Sequence, residues 1–392
     1  MNRYTDIMSG RYGDLDAGND SFEEDLLSLA RTFRSFSEAL NDFIVEKGYF
    51  GDVSNIGAKV DFIKAKFREA GMQAPREVQL WFSDDQPIVR DTAFQLCFAF
   101  GLDLDGTELF FRKVFSRERC FDCHSSTEAV YYWCIRNNRN WQTVQNILAQ
   151  IPIVHQGRIT DCEVLYTGAI LHELDQLLSE EQLIAYLTEN QNHFSYNNAT
   201  ATMAIQKLWN QITAADGLLA QESRKFGTML TKVPPENHIK VWDAYLAIIG
   251  ISKQIAKELP GDRTIKAVAD QLPKAIADSF PSRQGIEKLL RGQHVDYEIV
   301  RKWLILLSFY DFWCRLALRK GNYYADADSE ERCHSVIDQH LTDAGYMELY
   351  PGNPYDWVFL YSCNENEPLK AFRTIWQSLT ERYLADASEK PD

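Results

Sequence analysis

The sequence predicts an all-α, multi-helix protein in which two related helical units flank a helical middle region. Three observations carry this. Apolar residues recur at three- and four-residue spacing from about residue 22 almost to the end, while period-two alternation of strand length is scarce. Most of the twelve prolines, including Pro75, Pro87, Pro152, Pro234, Pro235, Pro281 and Pro351, fall between the apolar stripes, where they would punctuate helices. Two separate segments also repeat in the same order.

Taken in chain order, residues 1–20 read as a flexible acidic leader rich in Asp, Gly and Asn. The stripe Phe22, Leu26, Leu29, Phe33 opens an N-terminal unit over 21–152. Within it, residues 75–102 read as a short helix, a polar turn, and then a Val89-Arg90 pair entering a long apolar helix. Residues 128–148, EAVYYWCIRNNRNWQTVQNIL, give a second helix, a polar break and an amphipathic helix. A middle region spans 153–258 and contains the stripe Ile205, Leu208, Trp209, Ile212. The C-terminal unit, 259–385, repeats the pattern. Residues 282–312 place Val300-Arg301 before an apolar helix, and 356–376, DWVFLYSCNENEPLKAFRTIW, align with 128–148 from their leading acids, Asp356 and Glu128. Amphipathic helices of like length align to some extent by chance, but two matches in one order favour a duplicated unit. Residues 386–392 read as a frayed tail.

Net charge is −15 and the pI about 5.1, which argues against a protein that coats nucleic acid with its whole surface. No apolar run approaches the roughly 18 residues of a membrane span. The polar, acidic start does not read as a signal peptide, so the expected location is the cytoplasm, with no membrane partner and with the eight cysteines reduced.

One segment combines a short helix with local positive charge. PSRQGIEKLLRG supplies a Pro-Ser cap, a short helix and a stopping Gly292, and DYEIVRKWLILLSFYDF supplies a longer supporting helix. Residues 281–324 hold eight Lys and Arg against four acids, a local excess of positive charge in an acidic chain. This arrangement resembles the Cro/C1-type (XRE) helix-turn-helix family, and the segment at 75–102 resembles it more distantly, giving two helix-turn-helix-like units. The resemblance implies a non-enzymatic double-stranded-DNA-binding protein, a transcriptional regulator of the kind a mobile element or prophage carries. It implies that Ser282, Arg283, Gln284, Lys288 and Arg291 enter the groove while Arg301 and Lys302 hold phosphates. The first copy would be degenerate or used for assembly. A different class of function fits the acidic total: a helical protein-interaction scaffold that engages a protein partner or forms a homo-oligomer.

The remaining motifs are sparse. CFDCH (120–124) matches the c-type haem pattern, but without an export signal it reads as a tight helix cap; Cys120, Cys123 and His124 are the alternative start of a zinc site that lacks an identified fourth ligand. HELDQ (172–176) has Gln176 where a zinc protease needs its second His. No phosphate-cradling loop or nucleophile elbow is present, so no enzyme and no cofactor is expected. The aromatic runs at 131–133, 309–313 and 355–357 read as core rather than as base-stacking platforms.

Overall fold

A computed structural model describes residues 22–30, 32–115, 120–152, 167–194, 198–227, 240–251, 283–293 and 295–388, with Met8, Gly10 and Leu15. Among the described residues all regular structure is helical, with no strand, and no helix is long and apolar enough to cross a membrane.

The chain forms two compact units that differ from the expected three-part division. The inner unit, inner in the sense of sequence, comprises Arg34–Thr200 and Asp343–Met347. The outer unit comprises Met1–Phe33, Ala201–Thr342 and Glu348–Asp392. The expected middle region is thus divided near Thr200. Part of the expected flexible leader is also packed: Met8 and Leu15 are buried, and Trp357 Nε1 donates to the Met8 carbonyl at 3.1 Å.

Helix α1 (Phe22–Ala30) belongs to the outer unit. The inner unit follows with α2 (Phe36–Glu46), α3 (Ile56–Glu69), α4 (Val78–Ser83), α5 (Arg90–Ala99) and α6 (Leu104–Phe110). A π-helical turn (Phe111–Phe115) continues α6, and α7 (Ser126–Arg136), α8 (Trp141–Leu148), α9 (Thr167–Gln176), α10 (Glu180–Glu189) and a 3-10 turn (Gln191–Phe194) complete the set. Small polar residues start these helices by satisfying their otherwise orphaned amides. Ser35 and Glu38 form a reciprocal capping box on α2, while Asn55, Asp103, Ser125, Asn140 and Ser179 cap α3, α6, α7, α8 and α10. The apolar faces meet in one core in which Phe94 lies 4.7 Å from Phe111 and 4.9 Å from Tyr131, ring centre to ring centre.

The outer unit adds α11 (Ala199–Thr213), α12 (Leu218–Phe226), α13 (Val241–Ile249), α14 (Arg283–Leu290), α15 (Tyr297–Lys320), α16 (Ser329–Asp343), α17 (Pro354–Asn364) and α18 (Pro368–Ser388). Its axis is α15, which is buried without interruption from Val300 to Tyr310, so apolar residues surround it instead of forming one stripe. Helices α12, α14 and α18 pack on it, and the Phe309 ring centre lies 5.2 Å from those of Phe359, which it meets edge-on, and Phe372, to which it is tilted.

Gly250 ends α13 at φ +83°, and a Cβ there would lie 2.5 Å from Arg373 Cγ. A left-handed turn and a close neighbour both demand glycine. Gly250→Ala is expected to lose at least about 1–2 kcal/mol of stability, from the left-handed conformation alone, in a urea titration.

Candidate nucleic-acid interface

The short helix α14 shows how an eight-residue segment can be held outward. Ile286 and Leu289 are fully buried, and α14 packs on α13 and α15. Its last turn is fixed from both sides: Gln206 donates to the Leu289 carbonyl at 2.9 Å, and the Gln293 amide donates to the Lys288 carbonyl at 2.9 Å past Gly292, whose φ is +65°. Gln284, Lys288 and Arg291 are exposed, and their spacing of four and three residues puts them on one face. Ser282 lies outside the described residues, and of Arg283 only the backbone is described.

Two of the expected phosphate ligands are corrected by their surroundings. Arg301 is only 6% exposed and forms a bidentate pair with Asp356, at 2.6 and 2.7 Å. Lys302 is 8% exposed, pairs with Glu298 at 2.7 Å and lies over the Tyr355 ring. Arg301 cannot reach a phosphate without leaving Asp356 buried and uncompensated, and Lys302 is itself mostly buried and held by the half-buried Glu298 on its own helix. The positive island is smaller than its sequence suggests. Arg315 pairs with Asp311 and Lys320 with Asp326, while α14 exposes Lys288 alongside the half-buried Glu287, with the exposed Arg291 just past its end.

The counterpart in the inner unit is unsuited to a polyanion. Helix α4 has six residues and is followed by Asp84 and Asp85. Asp85 sits at φ +49° and accepts the Ser37 amide at 2.7 Å, which fixes an acidic turn.

Burying Arg301 exposes a correspondence between the units. In the inner unit Arg90 forms a bidentate pair with Glu128, both contacts at 2.7 Å, and donates to the Cys120 carbonyl at 2.8 Å; Glu128 also accepts the Asp122 amide at 2.6 Å. In the outer unit Arg301 pairs with Asp356 and donates to the Glu348 carbonyl at 3.4 Å; Asp356 also accepts the Tyr350 amide at 2.9 Å. The bound carbonyl lies eight residues before the acid in both units, the donating amide six before, and the helix cap, Ser125 or Asn353, three before. The same offsets thus recur in both units. A guanidinium and a carboxylate satisfied in this way are a structural clasp, since their hydrogen-bonding capacity is spent within the fold.

A third buried network is equally closed. Glu222 on α12 accepts from Arg373 at 2.7 and 3.0 Å and from the hydroxyls of Tyr310 and Tyr323, each at 2.7 Å. Burial opposes its ionisation, but Arg373 and then the two hydroxyls outweigh burial and hold its carboxyl below the ordinary range.

The CFDCH segment is a cap. Ser125 accepts the Glu128 amide, Asp122 accepts the His124 amide at 3.0 Å, and His124 Nδ1 lies 3.0 Å from the His193 carbonyl. Among the described residues no group of three or more His, Cys, Asp or Glu side chains is arranged to hold a metal ion, so Cys120, Cys123 and His124 are not assembled as a zinc site. In HELDQ, Glu173 accepts the Tyr186 hydroxyl at 2.6 Å and ties α9 to α10. The aromatic runs supply core: Tyr131, Trp133, Phe309, Tyr310, Trp313, Tyr355 and Trp357 are all buried. The inner unit also bears an open cleft of about 430 Å³ whose rim includes Lys66 and Arg139, but Glu69 and Glu180 already face these cations.

No protein-family model, curated protein or solved structure matches this chain. Among the described residues, fold and surface therefore define an all-helical protein with buried Arg–carboxylate pairs in both units and a short helix that exposes cations.

Proposed function

We propose that this protein binds double-stranded DNA without catalysing a reaction, through the exposed face of α14, and that it serves as a transcriptional regulator. The observation that carries the reading is the two-sided character of α14. Ile286 and Leu289 anchor it on α13 and α15, while Gln284, Lys288 and Arg291 remain exposed together. A short helix fixed by its apolar side can present such a face to the major groove. The glutamine suits an adenine edge and the two cations suit phosphates. The acidic α4 turn supports assigning contact to the outer unit alone.

The test is a mobility-shift titration of duplex DNA at several salt concentrations, with the parent and the Lys288→Glu/Arg291→Glu variant. Two lost phosphate contacts should reduce the slope of log affinity against log salt by about 2 and weaken binding to all sequences alike. Helical content by circular dichroism should be unchanged, because both side chains are exposed. A parent that fails to shift duplex at low salt, or a variant that shifts it equally, rejects the reading and leaves a protein-binding scaffold as the alternative.

A further inference from the structure

Four helices of the inner unit end on its open cleft of about 430 Å³. Lys47 closes α2, Ala70 closes α3, Phe100 closes α5 and Asn138 follows α7, and all four line the space. Each end is sealed by the same pair of backbone bonds. The Tyr49 amide donates to the Ile44 carbonyl at 2.9 Å, that of Met72 to Phe67 at 2.8 Å, that of Leu102 to Cys97 at 3.0 Å and that of Arg139 to Cys134 at 2.7 Å. The amide just before each, at Gly48, Gly71, Gly101 and Asn138, donates to the carbonyl three residues back. The turns themselves thus satisfy carbonyls that basic side chains would otherwise cap.

Three cations nonetheless line the cleft, Lys47, Lys66 and Arg139, against one carboxylate, Glu69, in a chain of net charge −15. Lys47 is half-buried and has no carboxylate partner among the described residues; its ammonium lies 5.9 Å from the centre of the Phe43 ring. The Lys66–Glu69 and Arg139–Glu180 pairs are partly exposed, and the second is 3.9 Å long. Such pairs hold weakly, so an anion with several charged oxygens competes with them.

Two half-buried rings, Phe100 and Trp141, share the lining. Phe100 meets Phe43 edge-on at 5.0 Å and is tilted against Phe62 at 6.1 Å, and the Lys66 ammonium lies 5.7 Å from the centre of that same Phe62 ring. Trp141 is seated against Phe98 at 5.2 Å and Tyr131 at 5.8 Å, ring centre to ring centre. Rings fixed by their neighbours and left partly open offer a planar ligand a stacking surface with little further ordering.

We propose that this cleft binds a nucleoside monophosphate, its base against Phe100 or Trp141 and its phosphate on Lys47, Lys66 and Arg139. The volume suits a ligand of that size, and the cations suit the charged oxygens of a phosphate. The site lies wholly in the inner unit and does not rest on the reading given for α14.

Isothermal calorimetry of the full chain at low salt tests this with AMP, GMP, CMP and UMP. Ribose phosphate, which lacks the ring, and the matching nucleosides, which lack the phosphate, are the comparisons. At least one nucleotide should bind about tenfold or more tightly than both of its halves, because ring and phosphate each contribute. Lys47→Glu and Arg139→Glu should each weaken that nucleotide about tenfold or more. Lys64→Glu, a charge reversal at an exposed position of α3 outside the cleft, should bind as the parent does. The comparison of nucleotide with its halves needs no variant, so it decides even where a reversal disturbs folding. The proposal is overturned if no nucleotide binds more tightly than ribose phosphate, or if folded Lys47→Glu and Arg139→Glu bind as the parent does.

Discussion

Replacing Arg301 with Met is expected to cost about 3–5 kcal/mol of stability, because it strands the Asp356 carboxylate in the interior without its guanidinium. Asp356 is fully buried, and the Tyr350 and Asn353 interactions that remain cannot neutralise its charge. Arg90→Met should cost a similar amount, since Glu128 occupies the corresponding place and is only 5% exposed. The double variant Arg301→Met/Asp356→Leu should recover most of the loss, because removing both charges removes the stranded one. Urea unfolding followed by circular dichroism measures all three. A loss below about 1 kcal/mol for either single variant would show that the clasp does not hold its unit. A duplex titration under conditions where Arg301→Met stays folded separates the two roles considered for this residue. A clasp leaves the salt slope unchanged, whereas a phosphate ligand lowers it by about 1.

Glu222→Gln should produce a loss of similar size, about 3–5 kcal/mol, by leaving Arg373 buried beside a neutral amide. Its pH dependence carries a definite sign. The folded carboxyl is held below its ordinary value of 4.5, so the folded state prefers the ionised form more than the unfolded chain does. The stabilisation is fully present above the ordinary carboxylate range and fades as pH falls through the lowered folded value. The stability gap between parent and Glu222→Gln should be flat from neutral pH down to about 5 and narrow below that. Calorimetry across this range would find no narrowing if the pair contributed only shape.

The helical class was legible because it rests on local spacing. Stripes such as Ile205, Leu208, Trp209 and Ile212 need only a period of three to four residues to be recognised. One helix start was legible in part: CFDCH read as a cap, and Ser125, directly after it, is the residue that accepts the Glu128 amide. The unit boundaries were not, because membership is decided by contacts between segments far apart in sequence: Asp343–Met347 joins the inner unit, and Met8 joins the outer one. The fate of Arg301 was hidden for the same reason. A window over 281–324 counts it as surplus charge, while the acid that neutralises it lies at 356 and the one that holds Lys320 lies at 326. Comparing the two similar segments held the missing signal. An arginine and an acid recur at corresponding places, Arg90 with Glu128 and Arg301 with Asp356, and side chains that recur together have reason to be partners.

The bond from Trp357 to the Met8 carbonyl joins residues 349 apart. On the ribosome, the first segment of the outer unit emerges long before the residues that receive it, and the inner unit's main segment is made in the interval. The outer core can close only when synthesis has passed Trp357, so its early helices must wait without their final neighbours. Contacts of such wide sequence separation slow folding and prolong the time for which apolar surface stays uncovered. Ribosome-bound chains arrested before Glu348 should therefore resist protease over the inner unit's main segment while Ala201–Thr342 remains cleavable.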